Sequence, residues 1–389
     1  MLKNFFKKII FCVTLIFSCQ VQAAEPLLYS DSVIVIETST GRVIYEKNAD
    51  KIYPPASMTK MLTCILGIEY LSPETEIKIF PEAAAVEYSD LHLQAGDIIS
   101  AHELFLGTML VSDNGGAVAI AQAVAGNIPT FVDMMNDKLV ELGCKNTQFA
   151  NPNGLPDPQH TSTARDIAKI ADYCMKFSEF REIVKTNRAI IHWIDPKNRT
   201  VEAINTNELL ETYRGINGIK TGYTLSAGGC LTASARRGDV ELIAVVMHSQ
   251  DKDTRFIDAQ VLLDYGFECV EKIYKQDKNN VEQVVFVRGG EKGAVHVGAE
   301  EDLNFPLLKG EDEKNFSVVY DVPKVIDAGI KSGDKVGHAI LNYDGEEVAR
   351  VPLVAKDDVA EGFSFGSTFV KWTEPLISHA EGFYKMLLA

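Results

Sequence analysis

"PPASMTKMLT", residues 54–63, sets a serine and a lysine three positions apart where two prolines give way to a run of helix formers. Proline suits the first helical turn, so Ser57 is expected in that turn, where backbone N–H groups and the helix dipole favour a developing negative charge. Lys60 then lies on the same face as Ser57. It is flanked by Met58, Met61 and Leu62, and desolvation lowers a lysine's pKa until the neutral amine can take a proton from serine. The competing reading is a helix-capping serine beside a surface lysine. Spacing alone does not decide, because Ser249 with Lys252 and Ser332 with Lys335 repeat it. Those two pairs sit among charges or in a glycine turn, where a lysine stays solvated and protonated.

Two further signals agree with the catalytic reading. "LVSDNGGA" sets Ser112 and Asn114 at a junction between helices, where a second hydroxyl can relay a proton to a leaving amine and an amide can hold a substrate carbonyl. "GINGIKTGYT" gives Lys220, Thr221 and Gly222 at the start of a strand, supplying a second positive charge, a hydroxyl and room for backbone approach. Each triplet is common by itself, and "KSG" recurs at Lys331. Their order, each on the element type it requires, is what carries weight.

Around these motifs, "SVIVIETSTGRVIYEKN" from Ser32 reads as a hairpin, and so does "GGCLTASARRGDVELIAVVM", turning at Arg237, Gly238 and Asp239. Between them the text is mostly helical. Apolar residues recur at helical spacing from Ile99 to about Leu142, and Thr163 with Asp166 opens a helix as a capping box. Hairpin, helical insert and hairpin predict an α+β unit: one antiparallel sheet with flanking helices and a helical lobe, over 24–270. From 275 to 362 short alternating runs, with a tight turn at Asp344 and Gly345, predict a small all-β domain without catalytic residues.

The ends carry different signals. Residues 1–23 combine Lys3, Lys7 and Lys8 with an apolar run from Ile9 to Phe17 and small residues at the end, the layout of a secretory signal peptide. A lipoprotein-type cut at Cys19 is the rival reading, against which stands the bulky Phe17. At the other end, over 367–389, Phe369, Trp372, Leu376, Ala380, Phe383 and Leu387 keep one helix face apolar. That face suits a membrane interface, the alternative being a terminal helix packed on its own domain. Lys371 and Lys385 are offset by Glu374 and Glu381, so attraction to anionic lipid would be weak.

Composition narrows the partners. A chain of 389 residues, 46% hydrophobic and 24% charged, is ordinary globular protein with room for two cores. Its formal charge of -16 becomes -19 once a segment with three lysines and no acids is removed (-16 - 3); such a polyanion is repelled by phosphate backbones, so nucleic acid is a poor partner and none is expected. Cys12 and Cys19 leave with that segment, and the five scattered cysteines that remain form neither a disulfide framework nor a zinc site. "HELFL" at His102 lacks the second imidazole of a metalloprotease helix. No metal or other cofactor is implied.

SMTK, SDN and KTG in this order resemble the signature shared by penicillin-binding proteins and class A β-lactamases. "NPNGLPDPQHTSTARD", "NTNELL" and "GINGIKTGYTLSAGGCLTASA" are similar to the low-molecular-mass, serine-type D-alanyl-D-alanine carboxypeptidases. The resemblance spans essentially the whole chain after the leader and implies the penicillin-binding, transpeptidase-like fold. It implies a cell-wall hydrolase outside the cytoplasm, periplasmic and peripheral on the outer face of the cytoplasmic membrane. Its substrate would be a peptidoglycan stem peptide ending in D-Ala-D-Ala, with β-lactams as inhibitors. Ser57 would be the acylated nucleophile, Lys60 its base, Ser112 the relay and Asn114 the substrate clamp. Lys220 and Thr221 would bind the substrate carboxylate, and the N–H groups of Ser57 and Tyr223 would form the oxyanion hole. Arg255, in "SQDKDTR", matches an arginine near the same carboxylate. The departure is Asp113, where many of these carboxypeptidases carry glycine and β-lactamases carry Asp. A class A β-lactamase also needs a glutamate for deacylation, where this chain has Gln148. A carboxypeptidase is the leading reading, with a β-lactamase and a catalytically silent peptidoglycan-binding protein as alternatives.

Overall fold

The computed structural model describes residues 25–362. The leader at 1–23 and the amphipathic segment at 367–389 lie outside the described residues.

The first expected hairpin is formed by β1 (Ser32–Glu37) and β2 (Arg42–Lys47), paired antiparallel. Three later strands complete the sheet: β3 (Ile216–Thr224), β4 (Gly228–Arg237) and β5 (Val240–Ser249), in the antiparallel order β2-β1-β5-β4-β3. β1 is buried along its whole length, because both faces of the sheet are covered. Ile34 and Ile36 join Ile243, Val245 and Met247 against the helical lobe, while Val33 and Val35 join Leu242, Ala244 and Val246 against a helix, Thr254–Cys269. Period-2 alternation thus divides apolar residues between two cores, which is why β1 and β5 read as nearly continuous apolar runs.

The helical lobe is built on α1 (Lys60–Tyr70), every residue of which from Lys60 to Gly67 is buried. A helix apolar on all sides belongs in the middle of a structure. Around it pack α2 (Ala101–Leu110), α3 (Asn114–Ala125) and α4 (Ile128–Glu141), together with α5 (Ala164–Cys174). Gly67 lets α2 approach closely, since a Cβ there would stand 2.6 Å from the Phe105 ring. Thr163 caps α5 by accepting the Asp166 N–H at 3.2 Å, as its capping-box spelling predicts. The lobe also carries a small sheet that the helical reading passed over. The hairpin Arg188–Asp195 with Thr200–Ile204 pairs with the short strand Ile98–Ser100, which in turn pairs with Glu76–Lys78.

After Cys269 the chain is β-rich. Val270–Gln276 pairs with Leu303–Leu308, and a six-stranded sheet closes over its own apolar cluster of Val285, Val297, Leu341 and Leu353. The turn at Asp344 and Gly345 has both residues at positive φ (50° and 87°), the geometry a two-residue hairpin requires. Arg42 on β2 ties this part to the main sheet: its guanidinium forms a two-pronged bond to Glu311, donates to Pro306 O and lies over the Phe305 ring.

Candidate active site

Ser57 sits in a four-residue 3-10 turn, Ala56–Thr59, that leads into α1, rather than in the α-helix itself. Ala56 enters the turn at φ 49°, a left-handed conformation uncommon for alanine. Two glycines close on it. A Cβ on Gly154 would stand 1.9 Å from Ala56 O, and one on Gly222 would stand 3.1 Å from both Ala56 Cβ and Ser57 N. Backbone alone can pass on either side of the nucleophile turn.

Lys60 is the hub. Its Nζ donates to Ser57 Oγ at 2.9 Å, Asn114 Oδ1 at 2.7 Å and Asn153 O at 2.6 Å. The residue is fully buried. Burial pushes its amine down to about 7, with the Asp113 carboxylate pulling part of the way back up. α1 grips the Asn153 segment a second time through Thr63 Oγ1, which donates to Pro152 O at 2.6 Å. Lys220 is buried too, and burial, then the charges of Lys60 and Arg255, hold it well below the usual lysine range. Two lysines buried near each other oppose each other's protonation, so the site favours at least one neutral amine.

Ser112, Asp113 and Asn114 span the α2–α3 junction, and their side chains diverge. Ser112, at φ 63°, lines a cleft of about 680 Å³ together with Ser57 and Asn114. Asp113 points away into the lobe, where it accepts the Gly116 N–H at 2.6 Å as the α3 N-cap and the Leu91 N–H at 2.7 Å. The residue that departs from the common glycine is therefore a scaffold group. Asn114 was expected to offer its amide to a substrate, but here that amide is engaged: Nδ2 donates to the carbonyls of Glu87 and Tyr88, and Oδ1 accepts from Lys60.

Lys220, Thr221 and Gly222 lie in the second half of β3 and not at its start, because Ile216 already pairs with Ala235 ahead of a bulge. Thr221, Gly222 and Tyr223 form one wall of the cleft, and Lys220 lies buried behind them, its Nζ donating to Thr221 O at 3.2 Å. Arg255, in the first turn of the Thr254–Cys269 helix, reaches the same wall and donates through Nη1 to Gly222 O at 2.8 Å. Its Nε is buried without a hydrogen-bond partner among the described residues.

All nine residues singled out in the sequence thus gather at one cleft or directly behind its walls. Three participants had no role assigned from sequence. Asn153 contributes through its carbonyl, and Thr206 shares a 2.6 Å hydroxyl–hydroxyl bond with Thr221. His160 braces the nucleophile turn through Thr59. Asn153 and His160 lie in "NPNGLPDPQHTSTARD" and Thr206 in "NTNELL", so the stretches were conspicuous while the roles were not. Gln148 pairs through its backbone with Thr161, and no glutamate lines the cleft among the described residues.

A serine bonded to a buried, partly neutral lysine beside a cleft with a Lys-Thr-Gly wall defines a serine acyl enzyme of the penicillin-recognising class. Residues 19–251 match the D-alanyl-D-alanine carboxypeptidase family, and residues 270–361 match the penicillin-binding protein 5 C-terminal domain. The chain belongs to the D-alanyl-D-alanine carboxypeptidase family of low-molecular-mass penicillin-binding proteins. It is 33% identical to the D-alanyl-D-alanine carboxypeptidase DacF of Bacillus subtilis, over 88% of each chain. Its fold is similar to that of penicillin binding protein 5 from Haemophilus influenzae (27% identity, TM-score 0.71, covering 87% of this chain and 100% of that one). It is also similar to the Streptomyces K15 DD-transpeptidase (31%, TM-score 0.60, covering 62% and 98%).

The buried amine has a consequence for stability. In the fold Lys60 loses its proton near 7, whereas in the unfolded chain it keeps it up to about its ordinary 10.5. Between those values the unfolded chain binds the extra proton, so stability rises with pH. From about pH 7 to about pH 9, wild type should gain roughly 2 kcal/mol on Lys60→Met in denaturant unfolding. A difference that stays constant over that range would mean that Lys60 remains protonated in the fold.

Proposed function

We propose that the chain removes the terminal D-alanine from peptidoglycan stem peptides through an acyl-enzyme on Ser57. The observation that carries this is the 2.9 Å contact between Lys60 Nζ and Ser57 Oγ, with Lys60 fully buried: once the amine is neutral, its two N–H groups serve Asn114 Oδ1 and Asn153 O and its lone pair faces the serine hydroxyl. Neutral Lys60 takes the serine proton as Oγ attacks the carbonyl of the penultimate D-alanine. Ser112 passes a proton to the departing amine. The N–H groups of Ser57 and Tyr223 stabilise the oxyanion, and water then releases the shortened peptide. Asn114 holds Lys60 and borders the cleft, so a substrate carbonyl would compete with Tyr88 O for its Nδ2. A β-lactam would acylate the same serine and leave slowly, in keeping with a cleft lined by no glutamate among the described residues. Labelled penicillin should therefore form a covalent adduct on the peptide that contains Ser57. Ser57→Ala should lose both the adduct and D-alanine release from a diacetyl-lysyl-D-Ala-D-Ala peptide, and full activity in that variant would sink the mechanism.

A free C-terminal carboxylate distinguishes this substrate from a longer peptide, and we assign its recognition to Thr221, Lys220 and Arg255, with Gly222 leaving room for the chain. Lys220 would regain its proton as the carboxylate arrives, since an opposite charge favours the ammonium. Arg255 borders the same wall, and a guanidinium is suited to an anion through parallel N–H donors. Losing such a charge-assisted contact should cost about 1.5 to 3 kcal/mol, on the order of ten- to a hundredfold in kcat/KM. Arg255→Ala should show that loss on the free acid and spare a substrate amidated at its C-terminus. Equal loss on both would mean that Arg255 only braces Gly222 O.

We further propose that 24–270 is the catalytic domain and 275–362 a β-rich domain. Residues 1–23 direct export across the cytoplasmic membrane, and the 367–389 segment holds the enzyme on that membrane's outer face. The basis is the leader's layout and the tail's apolar face. A chain ending at residue 366 should stay active and soluble, while one running from 24 to 389 should float with liposomes. A full-length mature chain that never partitions with lipid would remove the anchor.

A further inference from the structure

His160 lies outside the three catalytic motifs and outside the cleft, yet it joins the two backbone segments on which Lys60 depends. It is 1% exposed, and its ring is stacked on Phe149 at 4.8 Å and 5°. Nδ1 accepts the Ala150 N–H at 3.0 Å, which leaves the ring proton on Nε2. That Nε2–H faces Thr59 Oγ1 at 2.7 Å, and the Thr59 hydroxyl in turn donates to Ala56 O at 2.9 Å. Ala56 is the left-handed residue immediately before Ser57. On the other side of the ring, Ala150 begins the segment that delivers Asn153 O to Lys60 Nζ and lays Gly154 against Ala56 O.

We propose that His160 is a positioning residue for the Ser57–Lys60 proton transfer: one neutral imidazole fixes the nucleophile turn and the Asn153 loop at the spacing that Lys60 bridges. The inference rests on the Ser57–Lys60 reading above. Imidazole fits the task because it offers one acceptor and one donor on a flat ring that can also stack. A protonated ring would present two donors, one of them against the Ala150 N–H. Burial prevents this, pushing His160 down to about 4, with the Lys60 charge acting in the same direction and Asp157 opposing it. The strain at Ala56 supplies the reason that a brace is needed, since a backbone held in a sparsely populated region persists only where its surroundings over-determine it.

The test follows acylation of the mature chain by labelled penicillin at increasing concentration, with the adduct located by mass mapping and folding checked by thermal melting. His160→Phe keeps the stack and loses both hydrogen bonds. His160→Gln restores a donor towards Thr59, and Thr59→Val removes its acceptor. His160→Phe should lower the limiting acylation rate by about tenfold to a hundredfold, with penicillin's Kd within about twofold, since misplacing reacting groups costs rate rather than binding. His160→Gln should recover most of the rate. The Thr59→Val, His160→Phe double variant should be no slower than the slower single, because both break the same link. A wild-type rate in His160→Phe, a loss confined to Kd, or effects that multiply in the double variant would each overturn the proposal. If His160→Phe fails to fold, the other two decide, and a His160→Gln as slow as Thr59→Val overturns it. An adduct on any residue other than Ser57 would instead overturn the proposed function.

Discussion

A lysine with no solvent around its nitrogen is the constraint that the catalytic half of this molecule answers. Lys60 sits in the first turn of a helix buried on all sides, and desolvating a charged amine is expensive enough that the proton leaves first. Three oxygens meet its Nζ, each from a different place: the 3-10 turn, the start of α3 and the loop at Asn153. None of the three is a carboxylate. A salt bridge would have kept the ammonium charged and useless as a base, whereas neutral acceptors hold it in place without restoring its usual basicity. Asp113, the carboxylate whose charge acts on it, uses its oxygens to accept the N–H groups of Leu91 and Gly116 instead.

The architecture explains how those three segments meet. Both faces of the main sheet are covered, one by the Thr254–Cys269 helix and one by the helical lobe, so the seam between lobe and sheet is where α1, the α2–α3 junction and β3 come together. Close approach at that seam depends on positions without side chains. Gly154 and Gly222 flank the serine turn, and a methyl group at either would have to displace backbone or the neighbouring Cβ. The left-handed residues Ala56 and Ser112 mark the same pressure from within the chain.

How far the sequence could be read follows from what kind of signal each feature leaves. β1 and β5 were legible because two covered faces demand apolar residues on both sides of the strand, and α5 because Thr163 and Asp166 spell a cap. The hairpin Arg188–Ile204 was passed over although "RAIIHWID" alternates, since helical text on both sides dominated the reading. Ser57, Lys60, Ser112, Asn114, Lys220 and Thr221 were singled out through side-chain chemistry in a fixed order, whereas Tyr223 and Arg255 came only from the family resemblance. Asn153 could not have been found that way, because it acts through a carbonyl that every residue possesses. His160 and Thr206 act on other residues of the site, one through Thr59 and one through Thr221, and a support of this kind has no spacing rule. The direction of Asp113 was equally illegible: adjacent residues at a helix start point different ways, and only the cap geometry settles which one faces the cleft.

Among the described residues β3 is the last strand of its sheet, bonded to β4 on one side only. An outermost strand normally endangers solubility because it offers bare N–H and C=O groups to any extended chain. Here that liability borders the cleft, where Thr221 to Thr224 run along its wall. An incoming peptide can therefore be gripped by its main chain, as an added strand, in a manner indifferent to its side chains. On the proposed reading, selectivity is then left to the two ends of the register: the serine that would meet a carbonyl, and the cations that would meet a terminus. Such a rail would accept variation in the body of a peptide while remaining strict about where the peptide stops.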